Sequence, residues 1–452
     1  LKKQFLILLL AVPLCFLSVT AAFGQISSTV QINSSPNPVG SGARAMGMGG
    51  AFISIADDAT AASWNPAGLI QLERPEISFV FSYAHRRTFL KSDYHPEMRG
   101  MNEVHRDDLN YFSIAVPVMM FDKNVVLSLN YQRLYDFYND ISFDYMQMGQ
   151  GGGLTALSDF NFSYSQTGSL KALAPAFAIQ LTPQLSVGMT FNFWTDNMGY
   201  DNEWEMTNIV TADTRVYSGS GLFTSHGYSY YNEKNKNFEG FNFNVGFLWR
   251  LNSVITIGGV FKSPLKGDFD RETYEHEKVV SSRLGVTNNS QRWTENSFEM
   301  EFPMSYGLGI SFRLSDTFTV AFDAYRTQWS NFWVKQKHGS SSSPITGTPR
   351  QDTNVHDTTQ LRLGCEYLFI LEKTIIPLRL GVFSDPQPSG KHADDFLGVS
   401  IGTGIMIGNA VFDCAYVYRW GDDVSGEMIG GATGSNVDAD QHMLYLSMIY
   451  HF

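Results

Sequence analysis

In residues 241–249 every second residue is apolar: Phe241, Phe243, Val245, Phe247 and Trp249, with Asn242, Asn244 and Gly246 among those between them. A strand points successive side chains to opposite faces, so this segment has one oily face and one wet face. The same split recurs over residues 410–420, where Phe412, Cys414, Tyr416, Tyr418 and Trp420 oppose Asp413 and Arg419, and over 361–369, with Arg362 and Glu366 on the minor face. In a water-soluble sandwich the oily face would be lined by Leu and Val and turned inward. Here it ends repeatedly in Tyr or Trp, the amphipathic rings that a membrane barrel places at headgroup level. Beyond the N-terminal run no stretch approaches the roughly 18 continuous apolar residues of a membrane helix, so any spanning falls to strands. Strands survive in lipid only when their sheet closes on itself.

The segments between residues 76 and 452 amount to about fourteen strands. Residues 254–275 and 296–313 each read as one strand. Tight connections at Asp122-Lys123, Thr182-Pro183-Gln184, Leu251-Asn252-Ser253, Ser315-Asp316, Leu371-Glu372-Lys373 and Gly408-Asn409 alternate with long ones. Bacterial outer-membrane barrels have short periplasmic turns and long external loops, and an even count returns both chain ends to the periplasm. The last strand carries Leu444, Leu446, Met448, Tyr450 and Phe452 on one face. A terminal Phe closing such a strand resembles the signal read by the barrel-assembly machinery; an ordinary amphipathic strand is the alternative reading.

Composition agrees. Aromatic residues make up 14% of the chain and charged residues only 17%, a mixture rich in strand formers. The net charge of -12 argues against nucleic acid, whose phosphates need clustered Lys and Arg. The start of the chain reads as an export signal: Lys2 and Lys3, an apolar run over residues 5–19, then Ala22-Phe23-Gly24, with cleavage expected after Gly24. A retained anchor is the alternative, but Pro13 breaks the run. Beyond Cys15 in the leader, Cys365 and Cys414 fall on membrane-facing positions and are expected as two unbridged, buried thiols.

Residues 42–69, GARAMGMGGAFISIADDATAASWNPAGL, do not alternate. Asp57 is expected to cap a short helix over 58–63, and Asn65 a turn with Pro66 first and Gly68 closing it. Such a segment can pack as a plug. The expected organisation is a signal peptide at 1–24, a plug at 25–74 and a barrel at 75–452. Near the short turns the minor strand face is small, with Ser186, Gly188, Thr256, Gly258, Ser305, Gly307, Gly309, Ser311, Gly398, Ser400, Gly402 and Gly404. These residues leave room for a plug or relieve sheet curvature. Arg362, Glu366, Arg379 and Asp413 are expected to point into the lumen as an ion-pair network bracing plug against wall. The ten His residues are scattered without zinc spacing, and neither a Ser-hydrolase elbow nor a phosphate loop occurs, so an enzyme, a metal site and a cofactor are not expected.

The Asp-Asp, small-residue, aromatic, Asn-Pro-Ala-Gly pattern resembles the N-terminal hatch of the FadL/TodX family of outer-membrane transporters. Segments 173–194, 261–270 and 306–332 look like strands and turns of that family, so the resemblance is nearly full length. It implies an all-β, 14-stranded antiparallel transmembrane barrel with short plug helices in the lumen, located in the bacterial outer membrane and acting as a monomer. It also implies passive uptake of hydrophobic small molecules, long-chain fatty acids or aromatic hydrocarbons, captured between the third and fourth external loops, passed to a pocket above the hatch and released sideways into outer-membrane lipid. On that reading Asp57, Asp58, Trp64, Asn65, Pro66, Ala67 and Gly68 form the gate. The third loop, about 205–236, carries Met206, Ile209, Val210, Tyr217, Leu222, Phe223, Tyr228 and Tyr230 as the expected capture surface, with packing on the barrel rim as the alternative. The fourth, near 276–295, is mostly polar. A second function stays open, because relatives with the same hatch pattern serve as protein-binding parts of an outer-membrane secretion system.

Overall fold

The computed structural model describes residues 40–452 apart from 93–95, 121, 152–153, 197, 219–220, 283–284, 338, 373, 390–394 and 425–434. The expected signal peptide lies outside the described residues. In chain order the strands begin with β1 (Glu76–Ser92), β2 (Gly100–Met120), β3 (Lys123–Asp136), β4 (Asn139–Gly151), β5 (Leu154–Gln180), β6 (Leu185–Trp194) and β7 (Glu203–Ser218). They continue with β8 (Gly221–Arg250), β9 (Ile255–Lys262), β10 (Leu265–Ser281), β11 (Gly285–Phe302), β12 (Ser305–Arg313), β13 (Phe318–Thr327) and β14 (Trp333–Gln336). The last are β15 (Ser341–Ser342), β16 (Thr358–Ile370), β17 (Ile375–Ser384), β18 (Leu397–Ile407), β19 (Ala410–Val424) and β20 (Ser435–His451).

Fourteen of these make a closed antiparallel wall, in the order β1-β2-β3-β5-β6-β8-β9-β12-β13-β16-β17-β18-β19-β20. The ring closes where β20 pairs with β1, from Glu76 opposite His451 to Ser92 opposite Ser435. Closure leaves the wall no free edge in lipid. The alternation read from the sequence is realised: Phe241, Val245, Trp249, Leu363, Tyr367, Phe412 and Tyr416 are exposed on the outside, while Asn242, Asn244, Arg362, Glu366, Asp413 and Arg419 are buried inside. Cys365 and Cys414 are unbridged and half-exposed on the outer face, not fully buried.

The two expected external loops are a correction, because both are sheet. Residues 205–236 form the β7–β8 hairpin and 276–295 lie in the β10–β11 hairpin. Beyond the membrane both faces of a strand meet water or other protein, so the apolar repeat that marks a wall strand is lost although the backbone ladder continues. The wall strands break at one level and resume outside it. β6 stops at Trp194 and β7 starts at Glu203; β9 and β10 are separated by Ser263-Pro264, and β11 and β12 by Pro303-Met304. Proline removes a ladder donor, which is why the stretches expected as single strands at 254–275 and 296–313 each divide. At the β6–β7 break the Asn202 side chain stands in for a strand: its Oδ1 accepts from Lys171 N at 2.7 Å and its Nδ2 donates to Lys171 O at 2.9 Å.

Candidate ligand-binding site and plug

Residues 40–72 lie inside the barrel as α1 (Ala43–Gly47), α2 (Ala61–Trp64) and a 3-10 turn, Pro66–Gln71. Helices this short do not hold by themselves and need packing. The capping differs in part from expectation. Asp58, not Asp57, bonds the start of α2, accepting from Thr60 N at 2.8 Å and Thr60 Oγ1 at 2.5 Å. Asp57 instead receives Arg44, which competes for the carboxylate with a full charge. Asn65 caps as expected, its Oδ1 accepting from Ala67 N at 3.2 Å with Pro66 at the first position. The turn does not end at Gly68 but runs to Gln71. Gly68 is needed for close approach: a Cβ there would lie 2.1 Å from Ala56 O. Trp64 anchors the plug, donating from Nε1 to Ser41 O at 2.6 Å and meeting Phe52 edge-on at 6.0 Å.

Several of the small wall positions sit directly under this segment. A Cβ on Gly188 would reach Pro66 C at 2.4 Å, one on Gly258 would reach Ile53 O at 2.4 Å, and one on Gly381 would reach Gly49 N at 2.1 Å. Gly402 faces Gly47, and Gly307 and Gly309 face Ile53. Gly398 and Gly404 are different, for they make room for the wall's own Phe383 and Asp413. Polar side chains add bonds all round: Ser186 to Ala67 O at 3.1 Å, Thr190 to Ala62 O at 2.9 Å, Tyr111 to Ala59 O at 2.8 Å and Ser400 to Gly47 O at 2.9 Å. Asp323 accepts from Phe52 N at 2.6 Å and Ile53 N at 2.8 Å.

The expected ion-pair network is continuous from plug to wall. Arg44 bridges Asp57 at 2.5 Å and Glu366 at 2.9 Å, and Arg379 bridges Glu366 at 2.6 Å and Asp413 at 2.5 Å. A second wall cation, Arg362, donates to Gly49 O at 2.8 Å. Within the plug, burial raises the Asp58 carboxyl above its ordinary range against the pull of Arg44 and the Thr60 bonds. Buried charges are tolerated here because each meets a counter-charge or backbone dipole.

Immediately above the plug the lumen turns aromatic. Tyr135 stacks on Phe302 at 4.2 Å, Phe302 meets Phe332 at 4.9 Å, and Phe137 and Phe269 flank Trp204 at 5.1 and 5.0 Å. These rings gather at the level of the strand breaks, which carry them inward. Beside them is a cavity of about 40 Å³, bordered by Tyr135, Asn192, Trp194, Asn244, Lys262 and Trp329. It has room for little more than water, so a ligand must move side chains or plug to enter. All of its lining residues belong to the wall and the strand breaks; one of them, Asn244, is the next inward residue along the strand from Gly246, which touches Asn65. Its polar features are the buried Lys262, with its ammonium 5.8 Å from the centre of the Tyr325 ring, and Asn192 Oδ1, buried without a hydrogen-bond partner.

The expected capture residues do not form one surface. Met206 and Val210 are buried on the inner face of the external sheet with Phe143, Phe160, Phe162 and Tyr164. Ile209, Tyr228 and Tyr230 alternate onto the opposite face, where Tyr230 meets Tyr274 at 6.0 Å. Phe223 packs with Leu154, Ala156 and Val216, and Tyr217 and Leu222 are exposed near the hairpin end. Lys262 escaped the sequence reading although it follows Val260 on the inward face of its strand; a single cation carries no periodic signal. The aromatic rings escaped it because they come from strand ends and connections far apart in sequence.

A closed fourteen-stranded barrel with an oily belt and a lumen occupied by its own N-terminal segment defines a plugged outer-membrane barrel. The chain belongs to the outer membrane protein transport protein (OMPP1/FadL/TodX) family, whose model matches residues 21–452. No curated protein matches it. Among solved structures it is similar to a Pseudomonas aeruginosa FadL homologue at 14% identity and TM-score 0.59, covering 91% of this chain and 98% of that one. It is also similar to the Pseudomonas putida toluene transporter TodX at 11% identity and TM-score 0.54, covering 92% and 99%. The CymD monoaromatic hydrocarbon channel matches at 17% identity and TM-score 0.51, again covering 92% and 99%. At these identities the likeness is one of fold.

Proposed function

We propose that this protein admits hydrophobic small molecules through the outer membrane by passive diffusion, with the N-terminal plug as gate and an exit through the wall into lipid. The observation that carries the reading is the buried aromatic compartment in the lumen of a plugged barrel, since an open pore for polar solutes has no use for buried rings across its path. Lys262 at the border of that compartment favours a ligand with an anionic head, a long-chain fatty acid, over a plain aromatic hydrocarbon. Entry displaces Trp194 or Trp329 and loads the plug from above. The gate residues Asp57, Asp58, Trp64, Asn65, Pro66, Ala67 and Gly68 respond because they hold the plug to itself and to the wall.

The wall has a gap in its pairing between β5 and β6. Leu173 pairs with Phe193 and Ala176 with Thr190, but the two residue positions between are unpaired, and Pro175 has no N–H to offer. Small inward side chains, Ala172, Ala174, Ala176 and Ala178, line this stretch. A ligand leaving there meets outer-membrane lipid at once. Monomeric action and recognition of the strand ending at Phe452 by the barrel-assembly machinery complete the reading.

The second function, protein binding in a secretion system, has one observation in its favour: the external sheet projects exposed Met146, Met148, Leu222 and Trp293. Binding of a long-chain fatty acid and of an alkylbenzene to the purified chain separates the two. Uptake predicts that at least one binds and quenches the tryptophans of the compartment. Failure of both, with stoichiometric capture of a secreted protein, would replace it by the second function.

A further inference from the structure

We propose that His85, Glu103 and His105 form a site for a divalent transition metal, zinc in type, on the outer face of the barrel at headgroup level. Their positions in sequence give no motif. Strand register brings them together: His85 of β1 lies directly opposite His105 of β2, and Glu103 is the next residue of β2 on the same face. The ligand atoms of all three lie within 4.8 Å of one another. Glu103 Oε1 is 3.8 Å from His85 Nε2, and Glu103 Oε2 is 3.8 Å from His105 Nε2. Tetrahedral zinc with N and O ligands near 2 Å sets donors about 3.4 Å apart, so side-chain rotations that draw the three donors together complete the cage.

Three details point to a metal in preference to a chance gathering of polar groups. His85 Nε2 is buried and has no hydrogen-bond partner, which leaves an imidazole nitrogen desolvated and uncompensated. The His105 ring is set by the other nitrogen: Nδ1 lies 3.0 Å from the Tyr83 hydroxyl. A partner on Nδ1 orients the ring, and with Nδ1–H donating to the Tyr83 oxygen the Nε2 lone pair faces the site, the usual outer-shell arrangement of a metal-bound histidine. Arg87, the cation across from Glu103, is taken up by Asp440 at 2.8 and 2.9 Å, which leaves the carboxylate to the histidines.

The location fits as well. Below the site the outer face of β1 carries exposed Phe81 and Tyr83, and above it the ion pairs Arg87–Asp440 and Lys91–Asp438. The site therefore lies where the oily belt gives way to charge. Three protein ligands leave one coordination position open to water. His442, across β1 from His85, is not part of it: Nδ1 bonds Tyr416 at 2.6 Å, and Nε2 faces Asp440 at 3.4 Å and Arg87 at 3.3 Å.

The test uses the full chain in detergent, free of any histidine tag, stripped with a chelator and titrated with Zn²⁺ by calorimetry. One equivalent should bind near neutral pH and weaken as the pH falls below the histidine range, since ligand nitrogens must be unprotonated. His85→Ala and His105→Ala should each bind at least ~10-fold more weakly, while His442→Ala binds as the parent does. Heat-modifiable electrophoretic mobility confirms that each variant is folded. As a check needing no variant, Co²⁺ bound to the parent chain should give a visible absorption that one equivalent of Zn²⁺ removes. Absence of stoichiometric binding by the parent chain, or undiminished binding by the folded His85→Ala and His105→Ala variants, would overturn the site.

Discussion

Gly246 of the wall passes so close beneath Asn65 of the plug that a Cβ on it would lie 2.0 Å from Asn65 Oδ1. That oxygen caps the Pro66 turn, while the amide of the same side chain donates to Ile53 O and to Phe247 O, both at 2.9 Å. One side chain thus closes a turn, joins two parts of the plug and ties the plug to the wall. Gly246→Ala pushes that side chain from its seat, an overpacking of about 1–3 kcal/mol, and Asn65→Ala removes the bonds instead. Both variants should assemble normally, because neither removes a backbone hydrogen bond between wall strands. Both should show more frequent open events than the parent in planar bilayers. Loss of assembly would mean the plug is needed to build the barrel and not only to close it.

Asp323 tethers the plug to the wall with two backbone donors on one oxygen. Asp323→Asn removes the charge from both bonds and should weaken the tether by about 1.5–3 kcal/mol. Amide exchange at Phe52 and Ile53 then speeds up roughly tenfold to a hundredfold, with the wall amides of β13 unchanged. Equal speeding across β13 would instead show general destabilisation.

Lys262 separates the ligand classes. Lys262→Met keeps the bulk of the side chain and deletes the charge, so binding of a long-chain fatty acid should fall at least ~10-fold while an alkylbenzene binds as before, the loss being that of a charge-assisted bond. Titration of tryptophan fluorescence reads both. Equal loss for the two ligands would assign Lys262 a structural role.

The exit between β5 and β6 can be stapled. Ala174 and Asn192 stand opposite each other in the register kept by the pairs above and below the gap. Oxidised Ala174→Cys/Asn192→Cys should bind ligand at the parent's affinity yet deliver it to lipid far more slowly, with recovery on reduction. Unimpaired delivery with the disulfide formed would place the exit elsewhere.

The wall was legible in the sequence because lipid writes a signal at every second residue: Phe412, Cys414 and Tyr416 outside, Asp413 inside. The plug was legible for a different reason, since Asn65-Pro66 encodes its turn locally. Arg362, Glu366, Arg379 and Asp413 were also legible as inward charges, because each stands alone on an otherwise small face. What lay beyond reach depends on contacts far apart in sequence. Arg44 claims Asp57 and leaves Asp58 to the cap, a competition no local rule resolves. The external hairpins meet protein and water on their two faces, so Met206 and Tyr228 looked like loop residues of one surface and are strand residues of two. His85 and His105 come together only through the register of two long strands.

The central claim is that the plug moves for a ligand. Ser311 of β12 reaches Ser54 of the plug, hydroxyl to carbonyl, at 3.5 Å, so Ser54→Cys/Ser311→Cys can pin the plug to the wall. Proteoliposome uptake of a fluorescent long-chain fatty acid, measured on this variant before and after reduction, tests the claim most directly. The account predicts uptake at background level while the disulfide is intact and at the parent's rate once it is reduced; equal uptake in both states, with the disulfide shown to be complete, would contradict it.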